Sequence, residues 1–413
     1  MSFKETDDPD TNLHPGIAPA ALDIRSASDR PTDGADLSSR VDRAIDRALT
    51  EHRIVGAVVL VAKAGRIVYR RAAGMADREE ARPMKEDNLF LLASVTKPIV
   101  SAAVMRLVDQ GVIDFEDPVT RWLPEFRPRA ADGTQPLITL HHLLTHTAGL
   151  TYPFSESPDH LYHRLKVSSG LDQPGLSLNE NLRRLAAALL VGMPGAAWKY
   201  SMAFDVLGAV IERACEQPLA QAVQALVTGP LDMTDTAFSV VDRRRLATPY
   251  GDGRPCPVRM GREHIVSFNG MPIHFEPERV FDEASYPSGG GGMVGTALDT
   301  LKLLEALRTG GNGFLSAETL TGALQAYVGP EAQTKGPGWG YGRGWAVLVD
   351  PKAAQSPQST GTLSWGGVYG HSWFIDRARQ LTVVGLTNTS IEGNTGRFPK
   401  DVRDAVYGGP IPI

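Results

Sequence analysis

The sequence predicts an α+β fold: one sheet built from both ends of the chain and flanked by helices, with a mainly helical domain inserted between its halves. Three observations carry this reading. Strand-like apolar segments cluster before residue 72 and after residue 360. Between about 96 and 285 the chain reads as helices joined by Pro- and Gly-containing loops. The 413 residues, 42% hydrophobic and 22% charged, have the composition of a protein with an ordinary buried core. That length suits one large domain or two ordinary ones, expected here as 37–95 joined with 286–413, and 96–285.

The elements follow in order. Residues 1–36 are rich in Asp, Pro, Thr and Ser without periodicity, so they bury too little apolar surface to offset ordering and are expected as a flexible N-terminal arm. Behind Asp36, a suitable cap, Leu37, Val41, Ala44, Ile45, Ala48 and Leu49 recur at helical spacing and predict a helix to about His52. Residues 54–62 and 66–71 flank Lys63-Ala64-Gly65, a short turn that closes a hairpin. A helix is expected from about Ser94 to Gln110, stopped at Gly111. Another follows Pro194-Gly195, with Phe204, Val206, Leu207, Val210 and Ile211 at apolar spacing. Residues 361–368 and 373–388 read as strands and 401–407 as a short helix. The junction between sheet and helical insert leaves a cleft, where ligand sites commonly lie.

Charge and cysteine content narrow the function. With 47 acidic and 42 basic side chains the net charge is −5, too mild to argue for a nucleic-acid or anionic-membrane partner. Two cysteines, Cys215 and Cys256, make no disulfide scaffold, so reduced thiols are expected. The apolar runs 54–62 and 185–190 fall short of the roughly 18 residues that span a bilayer, and the start MSFKETDDPD is acidic where a secretory signal is basic and then apolar. A soluble cytoplasmic protein is expected.

Ser94-Val95-Thr96-Lys97 stands where a helix begins. Residues at i and i+3 share a helix face, so the Lys97 ammonium can approach the Ser94 hydroxyl, and unpaired N–H groups of the first turn favour an oxyanion there. Pro98 is tolerated so near the start. Read alone, the same four residues also describe a capping serine and a solvated lysine. Serine is a weak nucleophile until a base takes its proton, so a further group is needed, and Tyr200-Ser201-Met202 is the place to look. A third element is Trp365-Gly366-Gly367-Val368, because adjacent glycines weaken a strand unless a bulge or a close backbone approach requires them.

SVTK, the later YSM and the closing WGG, together with ITLHHLLTHTAGL and LTVVGLTNT, resemble the serine β-lactamase and penicillin-binding-protein superfamily, and within it the family VIII carboxylesterases. The likeness runs from about residue 37 to 408. It implies a serine β-lactamase-like α+β fold, an antiparallel sheet flanked by helices plus an inserted mainly helical domain. It also implies Ser94 as the acylated nucleophile, Lys97 and Tyr200 sharing proton transfer, and the backbone N–H groups of Ser94 and Val368 as the oxyanion hole. Two departures bear on substrate. Met202 replaces the Asn that many lactam-hydrolysing relatives carry, and Trp365 replaces a Lys or His that would engage a substrate carboxylate. Both favour neutral acyl esters of short to medium chain, with Trp365, Gly366, Gly367, Tyr152 and Met202 as substrate-binding residues. A β-lactamase, a D-alanyl-D-alanine peptidase-like hydrolase or an acyltransferase is the alternative.

Other readings are weaker. No GxSxG elbow occurs, the nearest match being Gly370-His371-Ser372-Trp373-Phe374. His142 and His146 stand four apart beside His141, but the Glu of HExxH is missing, so no metal ion is expected, nor any cofactor. The glycine run 289–292 lacks the Lys-Ser/Thr of a phosphate loop and is expected to permit a tight turn near the cleft. Phe154, Trp339, Trp345 and Trp373 join Tyr152 as candidates for an acyl pocket. Asp205 and His371 are expected to orient neighbours, without catalytic roles.

Overall fold

Strand β1 (Gly56–Lys63) is buried along its length except at Lys63, as a strand of Ala, Val and Leu must be when both faces of its sheet are covered. In this computed structural model, residues 32–409 other than 269 and 312 are described. Helix α1 (Thr32–Thr50) precedes β1 and already includes Asp36, which lies within the helix and pairs with Arg40. Asp36 is therefore no cap; an i,i+4 ion pair occupies the carboxylate expected to start the helix. The rest of the expected arm lies outside the described residues.

A hairpin joins β1 to β2 (Arg66–Asp77), which pairs with β3 (Arg82–Pro83). Strand β4 (Phe90–Leu91) then leads into a single 3-10 turn, Ala93–Val95, and helix α2 (Thr96–Asp109). The next stretch holds α3 (Leu140–Leu144), α4 (Leu161–Arg164), α5 (Leu178–Ala187), α6 (Ala203–Cys215) and α7 (Leu219–Val223). It also holds two ribbons that the helical reading of this region did not anticipate: β5 (Tyr250–Gly251) with β6 (Val258–Arg259), and β7 (His264–Phe268) with β8 (Met271–Phe275). Then come β9 (Val294–Gly295), α8 (Ala297–Thr309), α9 (Ala317–Ala323), β10 (Trp339–Tyr341) and β11 (Ala346–Leu348). The chain closes with β12 (Leu363–Gly367), β13 (His371–Asp376), β14 (Leu381–Thr387), α10 (Ser390–Asn394) and α11 (Arg397–Tyr407).

Eight strands form one antiparallel sheet in the order β10-β11-β12-β13-β14-β1-β2-β3. Its two central strands are β13 and β14, and β14 pairs on its other side with β1, Ala57 opposite Thr387 through Lys63 opposite Leu381, so the two ends of the chain meet inside the sheet. Alternation divides the core. Val59 and Val61 of β1 pack with Val41, Ala44, Ile45 and Ala48 of α1 and with Phe398 and Val402 of α11. Val58 and Leu60 face the other way, into a larger cluster that includes Ile99 and Val104 of α2 and Phe204, Leu207 and Ile211 of α6. The same cluster holds Leu301, Leu304 and Leu307 of α8, which lies on β14 and β1, and at roughly 1.5–3 kcal/mol for each large apolar side chain buried it joins α2, α6 and α8 to the sheet in one core. Among the described residues no helix is long and apolar enough to cross a membrane.

Candidate active site

Strand β4 delivers Ser94. It pairs with β9, Leu91 opposite Val294, and Leu92 N–H donates to Met293 O at 2.9 Å. The backbone then turns sharply. Ala93 takes φ +44°, a left-handed conformation that an L residue holds only when its surroundings enforce it. The 3-10 turn is closed by Val95 N–H to Leu92 O, and Thr96 N–H reaches Ala93 O, so the Ser94 N–H lies outside the ladder and is available. One turn on, Lys97 is fully buried in the first turn of α2, followed by Pro98 where no backbone donor is needed.

Tyr200 arrives from a loop laid along residues 146–151. Gly195 N–H donates to Thr147 O, Lys199 N–H to His146 O and Met202 N–H to Thr151 O, which hold the tyrosine at the start of α6. Its phenol oxygen lies 2.6 Å from Ser94 Oγ. Lys97 Nζ lies 3.1 Å from the same Oγ and donates also to Tyr152 Oη at 3.1 Å and to Gly290 O at 2.7 Å. Hydroxyl, amine and phenol therefore meet, and Nζ has three oxygen neighbours that fix its position.

Burial is the largest influence on the groups around Lys97. Burial first, then the neighbouring Tyr200 and Asp205, raises the Tyr152 phenol well above the ordinary range, and burial raises Tyr341 likewise. Both stay protonated, so Tyr152 can accept from Lys97 without taking charge. Asp205, 1% exposed in the first turn of α6, accepts from Gly290 N–H at 3.4 Å; burial raises its carboxyl above the usual value, and Ser288, Lys97 and Gly290 pull the other way.

Strand β12 brings Trp365 to the same place. Its ring lies 5.4 Å from that of Tyr200 and 5.2 Å from that of Tyr341. Pairing with β11 ends at Ser364, so 365–367 is open on that side. The N–H of Val368, just past the strand, finds no acceptor among the described residues. Ser94, Tyr200, Trp365 and Val368 are half-buried, while Lys97 and Tyr152 are enclosed.

Several expected positions fall elsewhere. Met202, expected to bind substrate, is fully buried in the core at the start of α6. Tyr152 is 3% exposed and turned to Lys97, so it belongs to the polar network and is no open pocket wall. Trp345 and Trp373 are core, while Phe154 stacks on Tyr152 and Trp339 joins Trp365 in a small cluster. Gly366 and Gly367 are required by protein backbone: a Cβ would fall 2.3 Å from His371 O at the first and 2.2 Å from Leu92 O at the second.

The histidines separate too. His142 completes the capping box of α3 with Thr139, whereas His146 lies beyond that helix with φ +55° and meets Ser201 Oγ at 3.1 Å through Nδ1. Burial, then the Lys97 charge, holds His146 well below its ordinary basicity. Among the described residues no group of three or more His, Cys, Asp or Glu side chains could hold a metal ion. Sequence reasoning missed Gly290, whose carbonyl takes the Lys97 proton contact; the glycine run was the signal. A Cβ on Gly289 would stand 2.3 Å from Phe204 O, so the run lets this segment lie directly on α6.

Comparison with known proteins settles the lineage. The family model described as beta-lactamase matches residues 41–406. The chain belongs to the beta-lactamase family. It is 55% identical over 378 residues to Esterase EstB of Burkholderia gladioli, covering 91% of this chain and 96% of that one. The structure of EstCE1, described as a hydrolase with promiscuous acyltransferase activity, superposes with a TM-score of 0.90 at 46% identity, covering 92% of this chain and all of that one. Unliganded simvastatin synthase from Aspergillus terreus shares the fold, with a TM-score of 0.69 at 22% identity over 90% of this chain and 98% of that one. The antiparallel sheet with flanking helices is thus the beta-lactamase family's α+β architecture, as the motifs implied.

Proposed function

We propose that this protein is a serine carboxylesterase of the family VIII type, acting on small-molecule esters of short to medium acyl chain through an acyl-enzyme on Ser94. The observation that carries the reading is Ser94 Oγ between Tyr200 Oη at 2.6 Å and Lys97 Nζ at 3.1 Å. The 55% identity to Esterase EstB and the 46% identity to EstCE1 support it. Ser94 Oγ attacks the ester carbonyl while Lys97 and Tyr200 take its proton and pass it to the departing alkoxide. The N–H groups of Ser94 and Val368 hold the developing oxyanion, each worth about 2.7–4 kcal/mol in such a site. Water then attacks the acyl carbon by the same route in reverse, releasing the acid. We read the site as lying between the unit formed by 37–95 and 286–413 and the unit 96–285. Cys215 and Cys256 are both free thiols, which supports a reducing, cytoplasmic setting.

Trp365 sets the substrate class. An indole beside the serine offers apolar contact and no cation for a substrate carboxylate, which favours neutral esters over β-lactams. The test is a p-nitrophenyl ester series beside a chromogenic cephalosporin, on the native protein and on Ser94→Ala, Lys97→Ala, Tyr200→Phe and Trp365→Lys. Near-complete loss is expected for the first two and a fall of roughly 100-fold or more for the third. Trp365→Lys should shift preference toward carboxylate-bearing substrates. Comparable native efficiency on the cephalosporin and on a butyrate ester would refute the esterase assignment. Transfer of the acyl group to an alcohol in place of water is the second reading, favoured by the likeness to EstCE1.

A further inference from the structure

His371 is a buried group near the site that the mechanism above does not use. It stands at the start of β13, 1% exposed, opposite Gly367 in the β12–β13 ladder. Its Nε2 lies 2.8 Å from Leu91 O, 280 positions away in sequence. A carbonyl only accepts, so Nε2 carries the proton and donates. The ring meets Phe90 edge-on, centroids 5.7 Å apart at 81°. Beside it the Gly367 backbone lies directly on Leu92: a Cβ there would fall 2.2 Å from Leu92 O and 3.0 Å from His371 Cδ2.

The two segments so joined carry the two oxyanion donors. Leu91 precedes Ser94 by three residues, and Gly367 immediately precedes Val368. No backbone ladder spans the seam, because β4 pairs with β9 whereas β12 pairs with β11 and β13. Among the described residues the imidazole makes the only hydrogen bond between 90–95 and 363–371. A residue serving packing alone would need the ring but not the N–H.

We propose that His371 is a positioning residue for the oxyanion hole, its Nε2–H···O=C bond to Leu91 setting the separation of the Ser94 and Val368 N–H groups. This rests on the esterase reading for the reaction those groups serve. Both acylation and deacylation pass through the same hole, so the residue acts on kcat and leaves binding of the ground-state ester alone.

The experiment compares the full-length native protein with His371→Phe, which keeps a buried ring and removes the donor, and His371→Gln, which keeps a donor. Readouts are kcat and KM on p-nitrophenyl butyrate, affinity for an alkylboronic acid that forms a tetrahedral adduct on the serine, and melting temperature. His371→Phe is expected to lose about 10- to 100-fold in kcat with KM within about twofold, to weaken boronate binding by a similar factor, and His371→Gln to recover most of both. A folded His371→Phe within about twofold of native in both quantities would overturn the proposal, as would a fall in kcat with unchanged boronate affinity. If the Phe variant does not fold, His371→Asn, too short to reach Leu91 O, takes its place against Gln with the same expected contrast. Ser94→Ala is the control that separates the two claims: activity surviving it removes the esterase reading and this inference together, whereas its loss beside an unaffected His371→Phe removes this inference alone.

Discussion

Gly290 serves the site by what it lacks. Its carbonyl takes a hydrogen from Lys97, and a Cβ on it would stand 3.1 Å from Tyr152 Oη and 3.3 Å from Asp205 Oδ2. Gly290→Ala therefore pushes on the groups that seat the Lys97 amine, and kcat on a butyrate ester is expected to fall roughly tenfold with little change in melting temperature. Steady-state kinetics beside a thermal melt check this; native kcat would show that the site accommodates a methyl group there. At this scale the sequence was most legible where chemistry recurs at fixed spacing. Ser94 and Lys97 share a helix face by arithmetic, whereas the inward turn of Tyr152 and the burial of Met202 depend on how the 146–151 segment and the loop before α6 lie on each other. Residue type alone carries no information about which side of a loop faces a cleft.

Helices α1 and α11 cover the face of the sheet away from Ser94, and their stripe of Val41, Ala44, Ile45 and Ala48 was readable because it runs for several turns. Ile45→Ala removes a fully buried side chain from that layer and is expected to cost about 2–5 kcal/mol, seen as a lower urea midpoint. Esterase activity of the folded variant should stay at the native level, since this layer touches none of the site residues; lost activity in a folded variant would contradict the division of the core. The elements that escaped notice are the short ones. Two- and three-residue strands such as β5 and β10 are too brief to alternate, so their pairing is decided by distant partners. Strands β7 and β8 are different, for an Asn269-Gly270 pair stands between them in the sequence and is itself a hairpin signal.

The fold works as a whole by convergence. The sheet joins strands from both ends of the chain, which places β4 and its serine beside β12, and α6 and α2 share one core, which carries Tyr200 to within reach although Ser94 and Tyr200 lie 106 positions apart. The ordered motifs made this arrangement legible as a family likeness, while the contacts across the seam, such as His371 with Leu91, had no local signature to read. The central claim is that one serine carries the acyl group. Labelling the native protein with a fluorophosphonate and sequencing the modified peptide by mass spectrometry tests it most directly. The adduct is expected on Ser94 alone, with ester hydrolysis lost in step with labelling and no adduct on Ser94→Ala; an adduct on a different serine, or full hydrolysis by protein labelled at Ser94, would contradict the account.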